Sequence, residues 1–160
     1  LVFLFKHEAA INNISERFLM AIAQKESSFR TDAVGSGPIG LMQIMPATAE
    51  RFGISRDQLF DAHTNIEFGA KYIGDKIEYY GDKTVALSAY NQGGLAISRG
   101  SYSTRYASKI VGAEDSLNNY LINNDKVIHT PHSSRPWKLL KYKNPVKYYL
   151  TKLWKGQDKI

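Results

Sequence analysis

Apolar residues recur at helical spacing along most of the first 124 positions. Ile14, Phe18, Ile22 and Ala23 fall on one face, which predicts a helix reaching about Lys25 or Glu26. Ser15 is its N-cap, and Glu16 sits against the positive end of the helix dipole. From Phe29 to Gly40 the chain turns to Gly, Ser, Pro and Asp, a loop that admits at most a small β-hairpin within residues 30–44. Pro46 opens a short helix that stops at Gly53. Asn65 is expected to cap a helix through Tyr80, with Ile66, Ala70, Ile73 and Ile77 on one face and Gly81 at its end. Thr84 is expected to cap the next, through Val85, Leu87, Ser88 and Tyr90. A last helix spans about 103–123, with Tyr106, Ile110, Leu117, Tyr120 and Leu121 inward and a possible break at Gly112. No alternating pattern lasts long enough for a major sheet. The fold class is therefore mainly α: several short helices with glycine-ended joints.

Beyond Asn124 the texture changes. Residues 123–136 are polar, and two aromatic, lysine-rich pieces follow, Trp137–Lys143 and Tyr148–Trp154, separated by Pro145. Charge separates the same two parts. Residues 1–124 hold 12 Lys/Arg against 13 Asp/Glu; residues 125–160 hold 9 against 2, so the net +6 belongs to the C-terminal part. The expected organisation is a domain at 1–124 and a basic, aromatic-containing extension at 125–160. That extension suits an anionic wall polymer or a membrane surface, or else wraps the body and buries its aromatics. Nucleic-acid binding is the weaker reading, since no recognition motif accompanies the lysines.

With no cysteine in 160 residues, disulfide and thiolate chemistry are excluded. No apolar run reaches the roughly 18 residues of a membrane span. Leu1–Phe5 reads as a packed N-terminal segment, the remnant of a leader, or the edge of a longer protein. His129 and His132, in a polar loop without carboxylate partners, make a poor metal pair. His7 and His63 are isolated.

The candidate chemistry centres on Glu26, which ends an apolar helix in Ala-Ile-Ala-Gln-Lys-Glu-Ser-Ser-Phe. Apolar neighbours and the negative end of a helix dipole both disfavour a carboxylate, as a general acid at neutral pH requires. Lys25, about 100° around the helix, is expected to point elsewhere. Gly40-Leu-Met-Gln-Ile-Met-Pro46 offers close backbone approach at Gly40, a donor and acceptor in Gln43, and a soft apolar wall in Met45. Tyr90-Asn91, before Gly93-Gly94, can hold a saccharide or orient the acid. Each motif alone also has a plain structural explanation: a solvated Glu, a Met-rich core turn, a core Tyr beside a C-capping Asn.

In this order and spacing the segments resemble the soluble-type lytic transglycosylases, the SLT domain of the lysozyme-like superfamily. The resemblance rests on Glu26-Ser27, Gly40–Gln43, Met45-Pro46, Thr48-Ala49, Asn65-Ile66, Gly69 and Ala89–Gly93, and covers about residues 10–112. It implies a lysozyme-like fold around a substrate groove and cleavage of the β-1,4 bond between N-acetylmuramic acid and N-acetylglucosamine. In the implied mechanism Glu26 is the single acid, then base, and a 1,6-anhydro sugar forms without metal or cofactor. Ser27, Gln43, Met45, Tyr90 and Asn91 are implied substrate-binding residues. Tyr106, in Thr104-Arg105-Tyr106, is the counterpart of a family tyrosine near the acid. Implied too is action on peptidoglycan at the bacterial envelope, in periplasm or wall, with delivery by a phage virion one setting.

Three departures from the family pattern stand out. Ser103 replaces a usual Glu, Gln92 replaces a usual Ala, and the 33–40 loop is one residue short, leaving Ser36 as the candidate loop serine. The alternative is a hydrolase of the same fold, a lysozyme-type muramidase. It needs a second carboxylate, for which Asp32, Glu50 and Asp57 are candidates. A binding module without catalysis is disfavoured by Glu26 itself.

Overall fold

A computed structural model describes residues 1–128, with side-chain surroundings through residue 119. The basic extension, His129, His132, Trp137 and Trp154, and the inward placement expected for Tyr120 and Leu121, lie outside the described residues.

The described part has seven α-helices, α1 (Val2–Ile11), α2 (Glu16–Ser27), α3 (Pro46–Ala49), α4 (Ala62–Tyr80), α5 (Lys83–Gln92), α6 (Gly94–Ser98) and α7 (Arg105–Ile128), and two short 3-10 helices, Glu50–Phe52, which continues α3 and ends at Gly53, and Asp57–Phe60. The architecture is mainly α, as the periodicity predicts. Helix α2 packs between α1 and α7, while α4 packs against α5 and α1. Their shared core includes Phe5, Phe18, Leu19, Ile22, Ile39, Leu41, Met42, Leu59, Ile66, Ile73, Leu87 and Ile110, all fully buried. At about 1.5–3 kcal/mol per buried large apolar side chain, this cluster is the main source of cohesion.

Capping follows expectation at one helix and departs from it at two. The Ser15 hydroxyl accepts from the Phe18 amide and starts α2. Helix α4 is capped by Asp61, which accepts from Thr64 N at 2.9 Å, not by Asn65. Helix α5 is capped by Asp82, which accepts from Val85 N at 2.8 Å, not by Thr84. In both cases an Asp slightly upstream competes better, because its carboxylate is a charged acceptor facing a helix N-terminus. Helix α7 runs through Gly112 without a break. One glycine costs only about 1 kcal/mol in a helix otherwise held by its packing.

Val2–Ile11 is a helix that periodicity alone does not mark, because apolar residues lie almost all round it; Phe5 and Ala9 go inward and Phe3 and Ile11 remain exposed. The small hairpin that the sequence at most admits within 30–44 is reduced to two isolated antiparallel bridges, Val34–Ile39 and Ile39–Ile44. Ile39 and Ile44 exchange both backbone hydrogen bonds, at 2.9 and 3.0 Å, and close a tight loop instead of starting a sheet.

Candidate active site

Helix α2 ends abruptly. Ser28 and Phe29 both adopt left-handed backbone, with φ of 53° and 61°. A bulky residue is uncommon there, and such strain persists only where the surroundings enforce it. Here Phe29 is buried, with its ring edge-on to Phe5 at 6.0 Å. This anchor fixes the end of α2, and with it Glu26.

The Glu26 carboxyl lies part-buried and receives the Tyr106 hydroxyl on Oε1 at 2.5 Å. Tyr106 comes from the first turn of α7, eighty residues away, and is itself buried. Burial raises the Glu26 pKa above the ordinary value; the Tyr106 hydrogen bond and then the Lys25 charge pull it down, and burial wins. The Lys25 charge is the smallest of these three effects, and the Lys25 side chain is exposed. Burial, with the nearby Glu26 charge, also pushes the phenols of Tyr106 and Tyr90 far above their usual range. Both therefore remain neutral donors at any working pH.

The Gly40–Met45 loop is held from three sides. The Asn65 side chain, fully buried on α4, accepts from Met42 N at 2.8 Å and donates to Leu59 O and Ile39 O at 2.8 and 3.0 Å. The Ser27 hydroxyl lies within hydrogen-bond distance of Leu41 O (2.8 Å) and Ala23 O (3.2 Å). Tyr90 Oη donates to Met42 O at 2.7 Å. Gln43, itself at φ 47°, donates to Gly40 O and Ala33 O. Gly40 is required twice over. Its φ is +78°, and a Cβ there would stand 2.2 Å from Asn65 Nδ2. A Cβ on Gly69 would likewise fall 2.4 Å from Met42 Sδ. The scattered motif glycines and Asn65 are thus one interlocked piece.

Of the residues singled out in the sequence, Glu26, Tyr90 and Tyr106 are brought together. Ser27 lies against the same loop with its hydroxyl turned to backbone. Gln43 uses its amide within the loop. Met45 stands 48% exposed, against Gly37. Asn91 is exposed and, with Tyr106, borders an open cleft of about 320 Å³. Ser36, Asp32, Glu50 and Asp57 are all exposed. Among the described residues no group of three or more His, Asp or Glu could hold a metal ion.

Sequence reasoning missed two features. Asn65 is the hub of the loop, not a cap. Gln92 forms a reciprocal clamp with Ser103: its Nε2 donates to Ser103 O at 2.7 Å, and Ser103 N donates to its Oε1 at 2.8 Å. The departures from the family pattern at 92 and 103 were the available signal, since the two positions contact each other.

A helical, lysozyme-like domain that holds one part-buried acid against a tyrosine is the class of protein that this fold and site define. The chain belongs to the transglycosylase SLT domain family, which matches residues 3–111. A transglycosylase of Enterobacteria phage PRD1 is 36% identical over 101 residues, covering 62% of this chain and 37% of the relative. The invasion protein IagB of Salmonella typhimurium is 37% identical over 107 residues, covering 61% and 66%. The soluble lytic murein transglycosylase of Escherichia coli K12 is 37% identical over 100 residues, covering 56% and 16%. A solved structure of the 70-kDa soluble lytic transglycosylase with bulgecin A superposes with a TM-score of 0.62 at 28% identity, over 74% of this chain and 24% of that one. The chain therefore spans about a third of the phage relative and a quarter of the solved structure.

Proposed function

We propose that the domain is a lytic transglycosylase acting on the glycan strands of peptidoglycan at the bacterial envelope, with Glu26 as its acid and then its base. The observation that carries this reading is the part-buried Glu26 carboxyl held by the buried Tyr106. Tyr106 donates to Oε1, so Oε2 is the oxygen left to carry a proton toward a bridging glycosidic oxygen. Protonation there breaks the bond to the leaving sugar. The substrate's own N-acetyl group stabilises the positive charge that develops at the anomeric carbon. Glu26, now a carboxylate, accepts the proton of the C6 hydroxyl, whose oxygen closes the 1,6-anhydro ring. The proton count returns to its start and water is not consumed.

Support for one acid over two comes from its neighbours. The charge that acts on Glu26 is Lys25, and none of the candidate second carboxylates Asp32, Glu50 and Asp57 acts on it. Gln43, Met45, Tyr90 and Asn91 are proposed to flank the sugars, Gln43 and Tyr90 mainly by fixing the loop they hydrogen-bond to. A phage relative and an invasion-protein relative favour a role in locally opening the wall. The test is a mass spectrum of wall digested by the protein. Fragments ending in 1,6-anhydromuramic acid are expected; reducing ends in their place would assign a muramidase.

A further inference from the structure

The open cleft beside Tyr106 is lined by Lys25, Arg105 and Lys109, with Asn91, Gln92 and Ser103, and no carboxylate lines it. Among the described residues none of the three cations closes a salt bridge. Their clustering is not a by-product of a basic body, since residues 1–124 carry 12 Lys/Arg against 13 Asp/Glu. Arg105 is the first residue of α7, whose N-terminus adds partial positive charge. The cleft also adjoins the acid: Tyr106 borders it while its hydroxyl reaches Glu26, and Lys25 both lines it and acts on Glu26. At about 320 Å³ it is at the small end of ligand sites. It has room for a small anionic appendage.

A neutral sugar gives three clustered cations nothing to do, whereas a carboxylate does. In peptidoglycan the carboxylates hang from the muramic sugar, on the short peptide amide-linked to its lactyl group or, where no peptide is attached, on the lactyl group itself. We propose that this cleft binds the carboxylates of that peptide, held by Lys109, Arg105 and Lys25 while the sugar bearing it lies over Glu26. The domain then favours strands carrying acidic peptides over bare or neutralised ones. The inference rests on peptidoglycan being the substrate.

The test measures strand binding to Glu26→Gln protein, which leaves strands intact, with and without Lys109→Glu. Three glycan preparations serve: strands with acidic peptides, strands whose peptide carboxylates are amidated, and strands stripped of peptide so that the lactyl carboxylate is free. Charge reversal at Lys109 is expected to weaken binding of the acidic-peptide strands by about fivefold, the upper range for an exposed ion pair, and less at high salt. Amidated strands should bind both proteins alike. The same loss on stripped strands assigns the lactyl carboxylate to the cleft in addition. Equal loss on acidic and amidated strands, or no loss on either, overturns the proposal. Wild-type cleavage is scored separately. Charge-dependent binding without cleavage would refute the catalytic reading and leave the cleft assigned, whereas cleavage without charge dependence would refute the cleft alone.

Discussion

At the end of α2 two polar side chains meet each other, Tyr106 on Glu26 at 2.5 Å. In the loop from Ile39 to Met45 they meet the backbone: Asn65, Ser27, Tyr90 and Gln43 are all hydrogen-bonded to main-chain groups. Both regions hold polar groups away from water, and in both the geometry is held by partners distant in the chain. They differ in what is left over. The loop's polar side chains are occupied, so it contributes shape. The acid keeps one oxygen unoccupied and a pKa raised by burial, so in the proposed function it contributes reactivity. A residue conspicuous in sequence belongs to one kind or the other according to where its hydrogen bond goes.

The sharpest way to break this contrast is Glu26→Gln. Activity should fall by about a hundredfold or more, the usual contribution of a general acid, with the fold retained. Stability should respond to pH in a definite direction. The folded-state pKa is raised, so the stability Glu26 contributes is full below its unfolded value of about 4.3 and is lost as pH rises through the folded value. Gln has no such loss. Thermal melts should therefore coincide near pH 4, with the Gln variant pulling ahead toward neutrality. A wild type with the higher melting temperature at pH 7 would show that the carboxylate is not disfavoured there.

Asn65→Ala should give the opposite signature. It leaves Met42 N, Ile39 O and Leu59 O without partners in the core. At about 1–3 kcal/mol for a buried group left unsatisfied, the loss should reach about 3 kcal/mol or more by denaturant titration. Activity lost through this variant should track the unfolded fraction and the displaced loop, with no shift of the pH profile. A shift would mean that the loop tunes the acid after all.

Tyr106→Phe tests the acid side more gently. Removing one hydrogen bond of about 1.5 kcal/mol should lower kcat roughly tenfold. The removed bond is one that lowers the Glu26 pKa. Its loss should therefore raise that pKa and move the alkaline limb of the pH–rate profile upward, because the resting acid must be protonated. A downward move would reverse the assigned role.

How much of this was legible in sequence follows the same division. Ser15, Pro46, Gly53 and Gly81 announce helix ends through local chemistry, and the structure places ends at all four. The position of Glu26 at a helix terminus was readable for the same reason. Asn65 was misjudged as a cap because both roles suit Asn; only the tertiary neighbours Met42, Ile39 and Leu59 separate them. Helix α1 lacked a polar face to give it a period.

Gln92→Ala should have the smallest effect, and it probes whether the two regions are joined. Gln92 ends α5, two residues beyond Tyr90, which is tied to the loop. Its amide pairs with both backbone groups of Ser103, just before α7 presents Tyr106. The clamp thus links the loop side to the acid side through three residues of chain. Each bond is exposed, so the net stabilisation is modest, about 0.5–1.5 kcal/mol per bond. Its value lies in limiting where Tyr106 can sit. Gln92→Ala should cost a few-fold in kcat and move the alkaline limb in the same direction as Tyr106→Phe, by less. Combined with Tyr106→Phe it should add little, since both act through one hydrogen bond. Gln92→Glu keeps an acceptor for Ser103 N but sets a carboxylate against Ser103 O, so it should resemble Ala and not rescue. If the alanine variant lost activity with an unmoved profile, or added in full to Tyr106→Phe, the clamp would be holding something other than the tyrosine.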